Sequence, residues 1–310
     1  MSQRLQTSQG AIPPPTHPRL VSLLAGLARG EGYSSSRLPG VRFMRSTKTV
    51  PRMQVSYEPS IIIVGQGRKR GHLGGQTFTY DANNYLVLAV PLPFECDTDA
   101  TPDEPMLGVA VGVSPATVAE LLMDMAKVPP VNTVPSLAMR AFSLDDGLTD
   151  ATIRLLECLE DNDDARILGP QIVREITYRV LRGEQGGVLR SLAAPHSHFG
   201  QISRALQRMH GSYAEPMDMT TLASEAGMSL STFHTHFKAV TSSSPLQYLK
   251  SVRLHKARML MVHQSASASV AAREVGYESA SQFSREFKRF FGLAPAAEAE
   301  HLRTMLMQLV

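Results

Sequence analysis

Two segments near the end of the chain repeat one another. The first is GMSLSTFHTHFKAVTSSSP (227–245) and the second is GYESASQFSREFKRFFGLAP (276–295). Gly227 and Gly276 are 49 residues apart; Phe237-Lys238 and Phe287-Lys288 are 50 apart, as are Pro245 and Pro295. In each copy a short helix leads to a glycine that lets the backbone take a positive-φ turn into a second helix. Phe233 and Phe237, or Phe283 and Phe287, stand at i and i+4 and should anchor that second helix by one face. The spacing predicts two helix-turn-helix units, and matched Phe, Lys and Pro positions argue against two chance pieces of a bundle.

The opposite faces carry hydrogen-bonding and cationic groups. In the first copy these are Ser231, Thr232, His234, Thr235 and Lys238; in the second, Ser281, Gln282, Arg285, Lys288 and Arg289. Arg285 and Gln282 lie near the helix start, where major-groove contacts are made, and can pair bidentately with guanine and adenine. His236 reads as packed or solvated rather than as a base reader. A connecting helix over 245–261 spans about 24 Å, which sets the two reading helices about one DNA turn, roughly 34 Å, apart. Lys250, Arg253, Lys256 and Arg258 on it are expected to meet phosphate or acidic partners, Arg253 equally as a structural ion-pair partner.

Charge is distributed to match. From Pro195 onward 12 Lys and Arg face 8 Asp and Glu, a net +4, against −1 for the remainder; eight of the ten histidines also lie there. A basic C-terminal part beside a near-neutral one suits a nucleic-acid-binding module joined to something else. The 310 residues suggest two domains. No apolar run is long enough for a membrane span and no secretory signal is visible. Cys96 and Cys158 lack metal-pair spacing and read as thiols in a cytoplasmic protein.

Residues 1–16 read as a flexible tail and 17–29 as a helix. From about 41 to 113, short apolar runs at 61–67, 76–81, 83–90 and 106–113 alternate with turn signals such as Gly74-Gly75, predicting a small antiparallel barrel or sandwich. Pro91 and Pro93 suit a strand edge or loop. Helices follow at 115–126, 148–160 and 170–183. A linker is expected over 186–199. Seven helices then fill the rest, near 197–210, 218–225, 229–240, 245–261, 267–274, 279–291 and 295–307. The fold class is α+β, with a strand-rich domain and its helices over 17–185 and an all-α domain carrying both helix-turn-helix units over 200–310.

These residues resemble the AraC/XylS family of bacterial transcription regulators. The second copy carries the more specific part, GY-x-S-x-S-x-F-S-R-x-F-K-R-x-F-G-x-x-P, and the likeness covers about 200–300. It implies that both reading helices enter adjacent major grooves, which carries the role to Ser231, His234, Thr235, Ser281, Gln282 and Arg285. Tyr57-Glu58-Pro59-Ser60, VGQGRKR (64–70), FTYDANNYLVLAVPLPFE (78–95) and QIVREITYRVLRGEQGGVLR (171–190) resemble a sensor domain found in one branch of that family. That implies a cupin-like β-barrel followed by helices used for dimerisation, making 17–185 a sensor and dimerisation domain and 200–310 the DNA-binding domain.

A cupin-type metal enzyme needs two or three histidines and a carboxylate, yet only His17 and His72 precede residue 195; no metal, cofactor or catalytic residue is expected. GQGRKRG (65–71) is no phosphate loop and reads as a hairpin turn with solvated basic residues. Cys96, near a strand end at the mouth of a sensor cavity, is the candidate effector-sensing residue, although the flanking Glu95 and Asp97 disfavour a thiolate and a quiet half-buried thiol is the plainer reading. The expected partners are double-stranded DNA, an unidentified small-molecule effector, a second copy of the chain and RNA polymerase, with no membrane. A cupin enzyme fused to a DNA-binding module and a constitutive architectural DNA binder stay open as alternatives.

Overall fold

The computed structural model describes residues 17–125, 137–183, 186–194 and 197–307; the expected tail, 1–16, lies outside them. Helix α1 (Pro18–Leu27) lays Leu20 and Leu24 on a sheet whose strands alternate inward and outward residues. The strands are β1 (Gly32–Ser35), β2 (Val41–Ser46), β3 (Val50–Tyr57), β4 (Ser60–Gln66), β5 (Arg68–Leu73), β6 (Gln76–Asp81), β7 (Asn84–Leu88), β8 (Leu92–Asp99), β9 (Met106–Gly112) and β10 (Met139–Ser143). Their order is β1-β2-β9-β4-β7-β6-β5-β8-β3, with β10 on β7, and the pairs are antiparallel. β8 sends Leu92, Phe94, Cys96 and Thr98 inward and Glu95, Asp97 and Asp99 outward. β4 is buried on both faces because α1 covers it: a Cβ on Gly65 would come within 2.7 Å of Leu24 Cδ1. The sheet curls until its edge strands meet through Tyr33 and Tyr57, whose rings stand edge-on at 5.7 Å.

One turn expectation fails here. β4 and β5 do not pair with each other, so 65–71 is no hairpin; the chain bends at Gly67 (φ +78°), where a Cβ would strike Met106, and crosses to another part of the sheet. The basic residues are not solvated either. Lys69 is buried with Nζ on Thr98 Oγ1 at 2.8 Å, Arg70 pairs with Asp97 and Asp99, and Arg68 lies beside Asp81. The acids sit directly across from the bases in the β5–β6 and β5–β8 registers, a juxtaposition invisible in a linear reading. Pro93, by contrast, lies where β8 has only β3 beside it, as an edge position requires.

Beyond the sheet come α2 (Pro115–Asp124), α3 (Asp146–Cys158), α4 (Asn162–Ile167) and α5 (Gly169–Arg182), with Ser114, Asp145 and Asp161 capping the first three. The apolar stripe of α5 turns into the chain, burying Ile176, Val180 and Leu181; outward it shows ion pairs of Arg174 with Glu120 and Asp124, and of Glu175 with Arg154 and Arg179. The segment expected as a linker carries α6 (Gly187–Arg190), with Val188 and Leu189 buried and the Arg190 guanidinium donating to Leu181 O and Gly183 O.

Seven helices follow: α7 (His198–Gly211), α8 (Met219–Glu225), α9 (Leu230–Thr241), α10 (Pro245–His263), α11 (Ala268–Glu274), α12 (Ala280–Phe291) and α13 (Pro295–Met307). Two apolar cores result. One runs without a break from the barrel through Phe233, Phe237 and Tyr248; the other gathers Leu254, Ala271, Phe283 and Phe287. Among the described residues no helix is long and apolar enough to cross a membrane.

Candidate nucleic-acid interface

The two turns are built alike. Gly227 (φ +68°) and Gly276 (φ +82°) occupy the left-handed region after α8 and α11. In the first, Met228 N donates to Ala223 O and Gly227 N to Ser224 O; in the second, Tyr277 N donates to Ala272 O and Gly276 N to Arg273 O. Both are Schellman closures, which need a residue without a Cβ penalty at that position. Ser229 and Ser279 then cap α9 and α12, accepting from Thr232 N and Gln282 N. The first of these helices thus starts three residues after its turn glycine and the second four, each at an angle fixed by hydrogen bonds rather than by packing alone.

Phe233, Phe237, Phe283 and Phe287 are fully buried, which fixes the rotation of both helices. The polar faces consequently point out. Ser231, His234, Thr235 and Lys238 are exposed and Thr232 is half-buried, its hydroxyl 2.8 Å from Ser229 Oγ. Ser281, Gln282, Arg285, Lys288 and Arg289 are all exposed. Arg289, one turn beyond Arg285, also lines a cleft facing the barrel. His236 is half-buried and stacked on His198, with ring centroids 3.7 Å apart, as the sequence suggests; burial, helped by His198, holds its imidazole below the ordinary histidine range.

The connector differs from expectation in its charges. α10 runs 19 residues, about 28 Å, but its cations turn inward. Arg253 donates to the carbonyls of Tyr213, Gly276 and Glu215, clamping the loop before α8 to the second turn. Arg258 is buried, paired with Glu298, bonded to Gln54 O and set over the Phe291 ring at 4.2 Å. Lys250 binds Glu286 at 2.7 Å and Lys256 lies over Tyr213. An acidic partner exists for two of the four, inside the chain; a desolvated cation needs such compensation.

Sequence reasoning missed the acceptor at the centre of α12. Glu286 receives Lys250 Nζ, Tyr277 OH at 2.9 Å and Gln282 Nε2 at 3.2 Å. Burial alone would raise its carboxyl, but these hydrogen bonds win and hold it below the usual carboxylate range. The i, i+4 spacing of Gln282 and Glu286 was the available signal. Also unforeseen is the seam between barrel and first unit: Tyr248 OH donates to Pro91 O at 2.5 Å and accepts from His210 Nε2, while Ala138 N donates to Val240 O.

Cys96 is neither at a strand end nor half-exposed. It sits mid-β8, buried at 3% exposure, with Sγ 3.3 Å from Tyr80 OH and 4.0 Å from Tyr57 OH. Inward alternation of β8 put it there. Cys158 is buried on α3, as expected for a packing thiol. Among the described residues no group of three His, Cys, Asp or Glu is placed to hold a metal ion.

Comparison with known proteins agrees with this architecture. Residues 37–188 match the AraC-type transcriptional regulator N-terminus, and residues 222–300 match a helix-turn-helix domain that starts within α8 and ends within α13. The chain is similar to the AraC-type transcriptional regulators. The N-terminal match covers about half of its length and the helix-turn-helix match about a further quarter. The regulator AlkR of Acinetobacter baylyi is 35% identical over 95 residues, 31% of each chain. An AraC-like transcription regulator of Streptomyces antibioticus is 30% identical over 198 residues, 61% of this chain and 62% of its own. The chain therefore spans about a third and about three fifths of these two relatives. Crystalline apo ToxT from Vibrio cholerae shares the fold, with a TM-score of 0.57 at 12% identity over 89% of this chain and 99% of its own; ToxT has also been crystallised bound to an unsaturated fatty acid.

Proposed function

We propose that the chain is a sequence-specific regulator of transcription that reads duplex DNA through α9 and α12 and answers to a small-molecule effector. The observation that carries this is the matched pair of exposed polar helix faces, each launched by a glycine turn and locked by two buried phenylalanines. Ser231, Thr232, His234, Thr235 and Lys238 form the first reading face; Ser281, Gln282, Arg285, Lys288 and Arg289 form the second. Arg285 reads a guanine, Gln282 an adenine, and Lys238 and Lys288 meet phosphates. The family and the fold shared with ToxT, itself crystallised with a fatty acid, support an effector-answering role. Such a protein works in the cytoplasm beside RNA polymerase, and a second copy of the chain is a natural partner at paired sites. The barrel serves as the sensing and docking part rather than as an enzyme.

Selection of bound sequences from a random DNA pool tests this reading. It should return a bipartite motif whose halves are about 10 bp apart. Arg285→Ala should blur one half and leave the other intact; a pool without enrichment would end the proposal.

A further inference from the structure

A cleft of about 460 Å³ opens between the barrel and the helical part, well within the range of small-molecule sites, roughly 300–1,000 Å³. Its barrel wall is the outer face of β3, the β5–β6 hairpin and β8; its other wall is the end of α9, the middle of α10 and the last turns of α12. The barrel interior, by contrast, is closely packed around Tyr80 and Gly71. Tyr80 is fully buried, and a Cβ on Gly71 would stand 3.1 Å from Phe94 and 3.3 Å from Met139.

The lining has a definite chemistry. Pro93, Leu254 and Phe290 give it an apolar base. Arg52, Lys250 and Arg289 enter it against two acids, Glu95 and Glu286, leaving one cation in excess. Arg52 is held by Glu95 and Lys250 by Glu286, whereas Arg289 makes no ion pair among the described residues. A charge left over beside apolar walls calls for an opposite charge carried on an apolar body.

We propose that this cleft, not the barrel interior, is the effector site, and that it takes a small organic anion, its charge on Arg289 and Lys250 and its apolar body against Pro93, Leu254 and Phe290. This rests on the reading of the chain as an effector-answering regulator and names the ligand class and the route. Lys250 and Gln282 share Glu286 Oε1. An anion that draws Lys250 away from Glu286 changes the bonding of a base-reading side chain one turn from the cleft. Occupancy and DNA reading are then linked, each shifting the affinity of the other by the same factor.

The chain has no tryptophan, so Gln76→Trp, at the exposed hairpin tip that lines the cleft, supplies a single fluorescent reporter in the full-length protein. It is titrated with 4-phenylbutyrate, 2-naphthoate and octanoate and with their neutral amides. At least one acid should shift the emission saturably, its amide should bind about tenfold more weakly, and Arg289→Ala in the same background should cost the acid about tenfold. That acid should also change the affinity of the unsubstituted protein for its selected DNA, and Glu286→Gln should abolish the change while leaving acid binding measurable. No saturable shift with any acid, equal binding of acid and amide, or indifference to Arg289→Ala overturns the site. Specific DNA binding with a silent cleft overturns this inference alone. A responsive cleft in a protein that selects no DNA overturns the regulatory reading and leaves the anion site standing.

Discussion

The first helix-turn-helix unit is part of the barrel's core; the second is a small domain of its own. Both follow the same local rules: a Schellman glycine, a serine cap, two phenylalanines at i and i+4, and a proline opening the next helix. Yet Phe233 and Phe237 belong to the apolar cluster that continues into the sheet, while Phe283 and Phe287 pack in a separate one. α9 is further tied to the barrel through Val240 O and, via α10, through Tyr248 and Pro91. α12 meets the barrel across the cleft, and it carries three exposed cations, Arg285, Lys288 and Arg289, where α9 carries Lys238. The difference teaches that a repeated sequence motif can specify a repeated shape without specifying a repeated mechanical role. The first reading helix is positioned by the sensor part. The second is more basic and packs in a core of its own, and in the proposed reading it supplies affinity.

The largest effect should separate the two cores. Phe237→Ala and Phe287→Ala each remove a fully buried ring, at a cost of about 3–5 kcal/mol. Hydrogen exchange should show loss of protection in both the barrel and α9 for the first, and loss confined to α11–α13 and the end of α10 for the second. Equal spread of both defects would erase the distinction.

Acid should strain the seam of the first unit next. Burial, with a smaller contribution from Lys256, pushes His210 down to about 4. The unfolded chain then binds a proton that folded His210 refuses, so stability rises with pH between about 4 and 6.5 and is lost as pH falls through that window. The loss at pH 5 is about 2 kcal/mol. His255, buried between Arg258 and the rings of Phe290 and Phe291, is also held well below its ordinary value by burial and acts in the same direction from the second unit. Urea melts at pH 7 and pH 5 should therefore differ, and His210→Asn should shrink the difference; an unchanged difference would remove His210 from the account.

On DNA, Arg285→Ala should weaken binding by about 1–3 kcal/mol and relax one base position. Lys238→Ala should weaken all sequences alike and lower the salt slope by about 1. Anisotropy titrations across salt concentrations distinguish the two, and a base-specific loss at Lys238 would reverse the assigned roles. The smallest effect concerns the helix ends. Ser242 closes α9 at φ +60°, where the second copy has Gly292 at φ +89°. Ser242→Gly should raise stability by up to about 1 kcal/mol and Gly292→Ala should lower it by about 1 kcal/mol or more, as thermal melts would show.

Helices with caps were legible in the sequence: Ser229, Ser244, Ser267 and Ser279 each stand within a residue of a predicted start. So was the exposure of both reading faces, because i, i+4 aromatics fix which side is buried. β1 and β10 escaped notice because short strands at the margins of a sheet have too few residues to show alternation. The inward turn of Arg253, Arg258 and Lys250 escaped it for another reason. Their partners are distant carbonyls and carboxylates brought near only by folding, so a basic helix in sequence became a clamp in the structure. Cys96 followed the same logic in reverse, since its acidic neighbours in sequence point to the other face of β8.

The central claim is that one chain places two helices in successive grooves. Hydroxyl-radical footprinting of the full-length protein on a selected site tests it most directly. The account predicts two protected segments about one helical turn apart on one face of the duplex, the Arg285→Ala protein losing contrast in one and a Ser231→Ala, Thr235→Ala protein in the other. A single protected segment that responds to changes in one helix only would contradict it.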